Sequence, residues 1–113
     1  MMFKCHCRDC QQATGGGFSP VVYVDKKTFA ITKGELRHYF TPSLGFGKNR
    51  RGYCADCGSR ITGGETPGGI GVTASSLDDP SWFCAKFDIF TSDAQPWDLM
   101  DPDIPKFELY PPM

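Results

Sequence analysis

Long apolar runs are missing from this 113-residue chain, and so is any excess of charge of one sign. No stretch approaches the roughly 20 apolar residues of a membrane-spanning helix, so no membrane partner is expected. Twelve Lys and Arg against thirteen Asp and Glu leave a formal net charge of −1. The basic residues are also scattered, which removes the electrostatic footprint of a nucleic-acid binder. Met1-Met2-Phe3-Lys4 is too short for a targeting segment, and a reducing cytoplasmic location is expected. Alanine and leucine are sparse, whereas thirteen glycines and nine prolines are present, a balance that favours turns and short strands over helices. The expected fold is mainly β, and the length suits one domain spanning residues 1–113.

Against these absences stand six cysteines. Three of them crowd into Cys5-His6-Cys7-Arg8-Asp9-Cys10, a density that packing and a spaced disulfide framework do not explain. Thiolates are soft, negatively charged ligands, and zinc holds them at about 2.3 Å in a tetrahedral shell. A second turn, Cys54-Ala55-Asp56-Cys57-Gly58, follows downstream, and Gly58 can take the positive φ that points backbone N–H groups at sulfur. Cys7-x-x-Cys10 with Cys54-x-x-Cys57 reads as a pair of zinc knuckles. Disulfide bridging is disfavoured by the crowding of Cys5, Cys7 and Cys10. A redox Cys-x-x-Cys is disfavoured because neither pair is expected between a strand and a helix. Cys84, alone in apolar company, reads as a buried structural thiol.

Between the cysteine motifs, strands are expected over Phe18–Val24, Thr28–Thr32 and Glu35–Phe40, which together would make an antiparallel meander. Thr41–Lys48, with Pro42, Gly45 and Gly47, reads as a loop or an irregular edge. Further strands are expected at Ser59–Thr62, Ile70–Ala74 and Phe83–Phe90. Gly15-Gly16-Gly17 lacks the lysine and spacing of a phosphate-binding loop, so it is either a plain connector or the lining of a substrate site. Arg50 and Arg51 could offset the charge of a four-thiolate zinc, clamp a carboxylate, or simply be solvated. The tail from Ser92, with five prolines among Trp97, Phe107 and Tyr110, suits an extended segment packed on the domain, with Trp97 capping the core. His6 is a knuckle residue or an alternate ligand, and His38 a surface residue. Neither shows a partner pattern for a catalytic dyad.

Two motifs, Cys5-His6-Cys7-Arg8-Asp9-Cys10-Gln11-Gln12-Ala13-Thr14-Gly15 and Arg51-Gly52-Tyr53-Cys54-Ala55-Asp56-Cys57-Gly58-Ser59, resemble those of the glutathione-dependent formaldehyde-activating enzymes and their relatives, which include centromere protein V. Similarity continues through Ser76-Leu77-Asp78-Asp79-Pro80, Pro96-Trp97 and Ile104-Pro105-Lys106-Phe107. The resemblance implies a zinc-containing β-tent of short, twisted antiparallel sheets. It also implies a carbon–sulfur lyase that joins a glutathione-like thiol to formaldehyde or a related aldehyde. In that pattern Cys5, Cys7 and Cys10 hold a catalytic zinc, while Cys54 and Cys57 share a structural zinc with an upstream Cys-x-Cys pair. This sequence departs from the pattern by showing no such pair before Cys5. Either the site at Cys54 and Cys57 is incomplete, or these two close a four-thiolate shell with two of the first three. It departs again at Asp88, where relatives often carry histidine.

Four protein ligands make a structural zinc, and three leave a position open. An open site at Cys5, Cys7 and Cys10 would serve the lyase, with glycines 15 to 17 giving room and Arg51 or Arg60 taking a carboxylate. A closed one would suit a non-catalytic, zinc-stabilised binding or scaffold module. A homodimer is expected if a sheet face is left exposed.

Overall fold

The computed structural model describes residues 1–45 and 47–112. Seven strands and one short helix occupy them: β1 (Met2–Cys5), α1 (Arg8–Thr14), β2 (Ser19–Asp25), β3 (Leu36–Ser43), β4 (Gly47–Cys54), β5 (Arg60–Gly63), β6 (Gly69–Thr73) and β7 (Asp88–Ile89). The chain is therefore mainly β, as glycine and proline content require. It forms two compact units, one of residues 1–21 and 81–113, the other of residues 22–80.

In the second unit the strands run antiparallel as β3-β4-β5-β6. β3 and β4 form a long hairpin whose register runs from Leu36 opposite Cys54 to Ser43 opposite Gly47. Of the loop or irregular edge expected over Thr41–Lys48, the edge is what forms: Thr41–Ser43 end β3 and Gly47–Lys48 begin β4. Pro42 is tolerated because β3 is an edge strand there, where a missing N–H breaks no inner ladder. Gly45 and Gly47, at φ +83° and +75°, supply the left-handed backbone that a tight reversal demands. The expected strand at Thr28–Thr32 does not form: a 3-10 turn over Lys26–Thr28, capped by Asp25 Oδ1 accepting from Lys27 N at 2.9 Å, takes the chain out of β2. The three-strand meander is accordingly replaced by the β3–β4 hairpin.

Between β4 and β5 the register shifts at Gly52 and Tyr53, so that Gly52 faces Thr62 and Tyr53 faces Arg60. This bulge sharpens the local twist just before the second cysteine turn. Glycine is required at 52, because a Cβ there would overlap Thr62 Oγ1 and come within 2.9 Å of Leu36 Cδ1. Arg60 stacks its guanidinium over Tyr39 and Tyr53, 5.2 and 5.3 Å from the ring centroids. An open cleft of about 510 Å³ in this unit is lined by Phe29, Leu36 and Ile70 with Lys26, Arg50 and Glu65 among its polar residues.

The first unit is held by β1 and β7, which pair in parallel with Lys4 opposite Asp88 and Cys5 opposite Ile89. The all-antiparallel expectation fails here. Asp88 sits between two partners: Lys4 on one side, and on the other the tail, where Asp88 N donates to Pro105 O and Phe107 N to Asp88 O, both at 2.9 Å. Phe3, Phe87 and Phe107 pack beside this ladder with centroids 5.3 and 5.9 Å apart. The strand expected over Phe83–Phe90 shrinks to Asp88–Ile89, since Phe90 turns into the left-handed region at φ 55° and packs edge-on against Tyr110 at 4.9 Å. Phe3, Cys5, Cys10, Ala13 and Ile89 make the buried apolar core of this unit.

Candidate metal centre

The spacing Cys-x-Cys-x-x-Cys acquires its meaning where β1 gives way to α1. Cys5 ends the strand and Cys7 is still extended, at φ −64° and ψ 156°. Alternation along extended chain therefore sends Cys5 and Cys7 to one side and His6 to the other. From Arg8 the backbone coils, and Cys10 returns over Cys7 one turn into the helix. Cys7 is the N-cap, its Sγ accepting from Cys10 N at 3.4 Å, and Asp9 complements the helix dipole in the first turn. Gly15, at φ 75°, ends the helix with its N–H donating to Gln11 O. The three sulfurs consequently lie within 4.8 Å of one another.

Cys5 and Cys10 are buried and Cys7 half-buried, so this thiol group meets solvent through Cys7. Hydrogen bonding with Cys10 and Cys7, then burial, pushes the Cys5 thiol well above an ordinary cysteine. Three thiols this close together are a donor set for a soft dication, and the residues fit zinc. No nearby strand or helix signal in the sequence marked α1, whose seven residues are too few to show a period. The redox objection that neither Cys-x-x-Cys lies between a strand and a helix is accordingly wrong for Cys7 and Cys10, which do.

His6 is a larger correction. Its side chain is 0% exposed, and both ring nitrogens meet carboxylates: Nδ1 lies 2.5 Å from Asp98 Oδ2 and Nε2 2.8 Å from Asp88 Oδ1. Both ring nitrogens are engaged by carboxylates, and neither is left to ligate a metal. Its main chain is held as well. His6 N donates to Ile89 O at 3.0 Å, and Gln11 Nε2 donates to His6 O at 2.8 Å and to Asp93 O at 3.0 Å. Asp88, the position of the departure from the family pattern, is itself 0% exposed, with Lys4 Nζ 3.6 Å from Oδ1 and Lys106 Nζ 3.7 Å from Oδ2. These partners sit 82 and 92 residues from His6, a separation that no local pattern encodes.

Cys54 and Cys57 lie on a turn in the second unit, closed by Cys54 N to Ser59 O and Gly58 N to Cys54 O, each 2.9 Å. Gly58 has φ +78°, the conformation its sequence position suggested. Cys57 is exposed, and hydrogen bonds from the Ser59 hydroxyl (3.1 Å) and N–H, then from Cys54, hold its thiol below an ordinary cysteine. Arg51 is buried, its Nε donating to Thr41 Oγ1 at 3.4 Å, and Arg60 is committed to its tyrosines, so both serve packing within their unit. Arg50 pairs with Glu65 at 3.3 Å. His38 is exposed. Cys84 is exposed rather than buried, because residues 83–87 form no strand that would turn it inward; Lys86 Nζ approaches it at 3.7 Å. Trp97, expected over the core, is 65% exposed.

A small, mainly β protein with a compact three-thiol group at a strand-to-helix junction is the class these features define. The chain belongs to the glutathione-dependent formaldehyde-activating enzyme family, whose model matches residues 1–93. Comparison with curated proteins gives no match. Among the described residues no helix is long and apolar enough to cross a membrane.

Proposed function

We propose that the protein is a zinc-dependent carbon–sulfur lyase that condenses glutathione, or a closely related thiol, with formaldehyde. The observation that carries this reading is the group of three sulfurs from Cys5, Cys7 and Cys10, a count that suits a catalytic rather than a closed structural centre. Zinc, when bound there, supplies a Lewis acid with a free position that lowers the pKa of a thiol placed on it. The chain's own part is to hold the ligands and admit the substrate. Half-buried Cys7 gives the open side, and Gly15, where an added Cβ would meet nothing within 4 Å, gives a peptide room to approach. Arg8, exposed on the first turn of α1 with one guanidinium nitrogen donating to Gln11 Oε1, has its remaining donors for the carboxylate role in place of the buried Arg51 and the stacked Arg60. In the second unit Cys54 and Cys57 are assigned to a structural metal as two of its four ligands, since among the described residues no third His, Cys, Asp or Glu side chain joins them.

The test is zinc content with X-ray absorption, and nuclear magnetic resonance exchange rates for glutathione with formaldehyde. A shell of three sulfurs and one light atom, with adduct formation faster than the spontaneous rate and lost in Cys7→Ser, is expected. A shell of four sulfurs with no acceleration leaves the family's scaffold without its reaction.

A further inference from the structure

The segment from Asp93 to Asp98 reaches the cysteine motif in two places without supplying a ligand. Asp93 O receives Gln11 Nε2, the same amide nitrogen that holds His6 O, and Gln95 Nε2 donates to Gln11 Oε1 at 3.1 Å. Asp98 then takes His6 Nδ1. Apolar burial does not explain why this segment lies where it does. Its side chains alternate in the wrong sense, since Asp98 is 4% exposed in its side chain while Trp97 and Leu99 beside it are 65% and 92% exposed. A segment that turns an aspartate inward and leaves a tryptophan and a leucine outside is held by its polar contacts.

With Asp88 on the opposite ring nitrogen and Ile89 O on the amide, every polar atom of His6 is fixed. His6 is the one residue between Cys5 and Cys7. We propose that Asp98 is a positioning residue for the metal centre: through His6 it sets the spacing of the Cys5 and Cys7 sulfurs, and Gly17 is glycine because Asp98 must pass it. A Cβ on Gly17 would lie 3.0 Å from Asp98 Cγ and 3.2 Å from Oδ2, the oxygen that holds His6. Gly16, its neighbour in the same loop, would meet nothing closer than Thr14 Oγ1 at 3.9 Å. The glycine triplet therefore has two different duties, an open end and a tight one.

The inference rests on the metal reading above, because it concerns how tightly pre-set ligands hold an ion. Zinc affinity by chelator competition, and the charge-transfer and d–d bands of the cobalt(II) form, are measured for the full chain and for Asp98→Asn, Gly17→Ala, Gly16→Ala and the Asp98→Asn/Gly17→Ala pair. Asp98→Asn and Gly17→Ala are each expected to weaken zinc by about 10- to 100-fold, the range for residues that orient ligands, and to shift the cobalt bands with all three thiolates retained. Gly16→Ala stays at the parent value. The double variant loses no more than the larger single loss, because both changes break one bond. Should Asp98→Asn fail to fold, Gly17→Ala still decides, since it keeps every ligand and the carboxylate. Parent-like affinity and spectra in both single variants, equal effects of alanine at 16 and 17, or additive losses overturn the proposal. Absence of zinc uptake at Cys5, Cys7 and Cys10 in the parent chain overturns the metal reading instead, and the inference with it.

Discussion

The two Cys-x-x-Cys turns share a spacing and differ in almost everything else. Cys7 and Cys10 stand at the entry of a helix, joined by a third sulfur, with Cys5 and Cys10 buried and buried carboxylates gripping the intervening histidine. Cys54 ends β4 opposite Leu36 and Cys57 follows on the turn, closed by bonds to Cys54 and Ser59, with Cys57 in solvent. Hydrogen bonding with Cys10 and Cys7, then burial, raises the Cys5 thiol in the first case, and local donors lower that of Cys57 in the second. The same four-residue signature thus serves as a braced centre in one setting and as a turn at a strand's end in the other. Surroundings decide which.

Several measurements bear on that contrast, and the largest effect is expected from the looser turn. Structural zinc with a full four-ligand shell contributes about 10 kcal/mol or more of apparent binding energy in small zinc peptides, so, with the two thiolates here as half of such a shell, Cys54→Ser or Cys57→Ser should lower the thermal transition of the zinc-loaded protein. Retention of both metal content and melting temperature would show that this turn holds no structural ion. Next comes the brace itself. Asp88→Asn leaves Lys4, Lys106 and His6 facing a neutral group in a buried site, and breaking buried charge pairs costs about 3–5 kcal/mol; chemical denaturation of the metal-free chain measures it. A loss under about 1 kcal/mol would make the network no better than a surface one.

Cys10→Ser should then weaken zinc at the first motif by more than about 100-fold, a larger loss than orienting residues give, while Cys84→Ser leaves zinc content unchanged. Equal metal content in Cys10→Ser and the parent would remove the third ligand from the account. Alkylation separates the two turns without mutation. In metal-free protein near neutral pH, iodoacetamide should reach Cys57 first, since its lowered thiol carries more thiolate at a given pH, and Cys5 last. Mass mapping of the reverse order would contradict the assigned environments.

The smallest effect is expected at Glu65, which the second unit keeps near solvent. Burial raises its carboxyl, but Lys26 at 3.1 Å and Arg50 at 3.3 Å outweigh this and hold it below the ordinary range. A lowered carboxyl stabilises the fold above the ordinary glutamate pKa and loses that contribution as pH falls through the lowered value. Glu65→Gln should therefore cost under about 1 kcal/mol at pH 7 and flatten the acid limb of the stability profile. An unchanged acid limb would assign that dependence elsewhere.

Much of the β content was legible because strands such as Ser19–Asp25 and Gly69–Thr73 are short runs with β-branched or aromatic residues beside glycine or proline, whereas the alternating run Thr28–Thr32 forms no strand. The thiol motif was legible for a similar reason: its spacing is local. What the chain hid was non-local or too short. Seven residues of α1 show no period, Pro42 disguised the end of β3, and Phe90 in the left-handed region cut β7 to two residues. His6 was read without a partner because its carboxylates lie most of the chain away, and Cys84 was read as buried because a strand was assumed around it. Local chemistry announces itself in sequence, whereas a clasp closed by distant residues does not.

That distance also sets a schedule. A ribosome extends a chain at about 5–20 residues per second, so the 92 positions between His6 and Asp98 represent roughly 5–20 s in which the three thiols exist without the carboxylate that fixes the residue between them. The ligands are made well before the residue that braces them, and the site is finished only when Asp98 arrives.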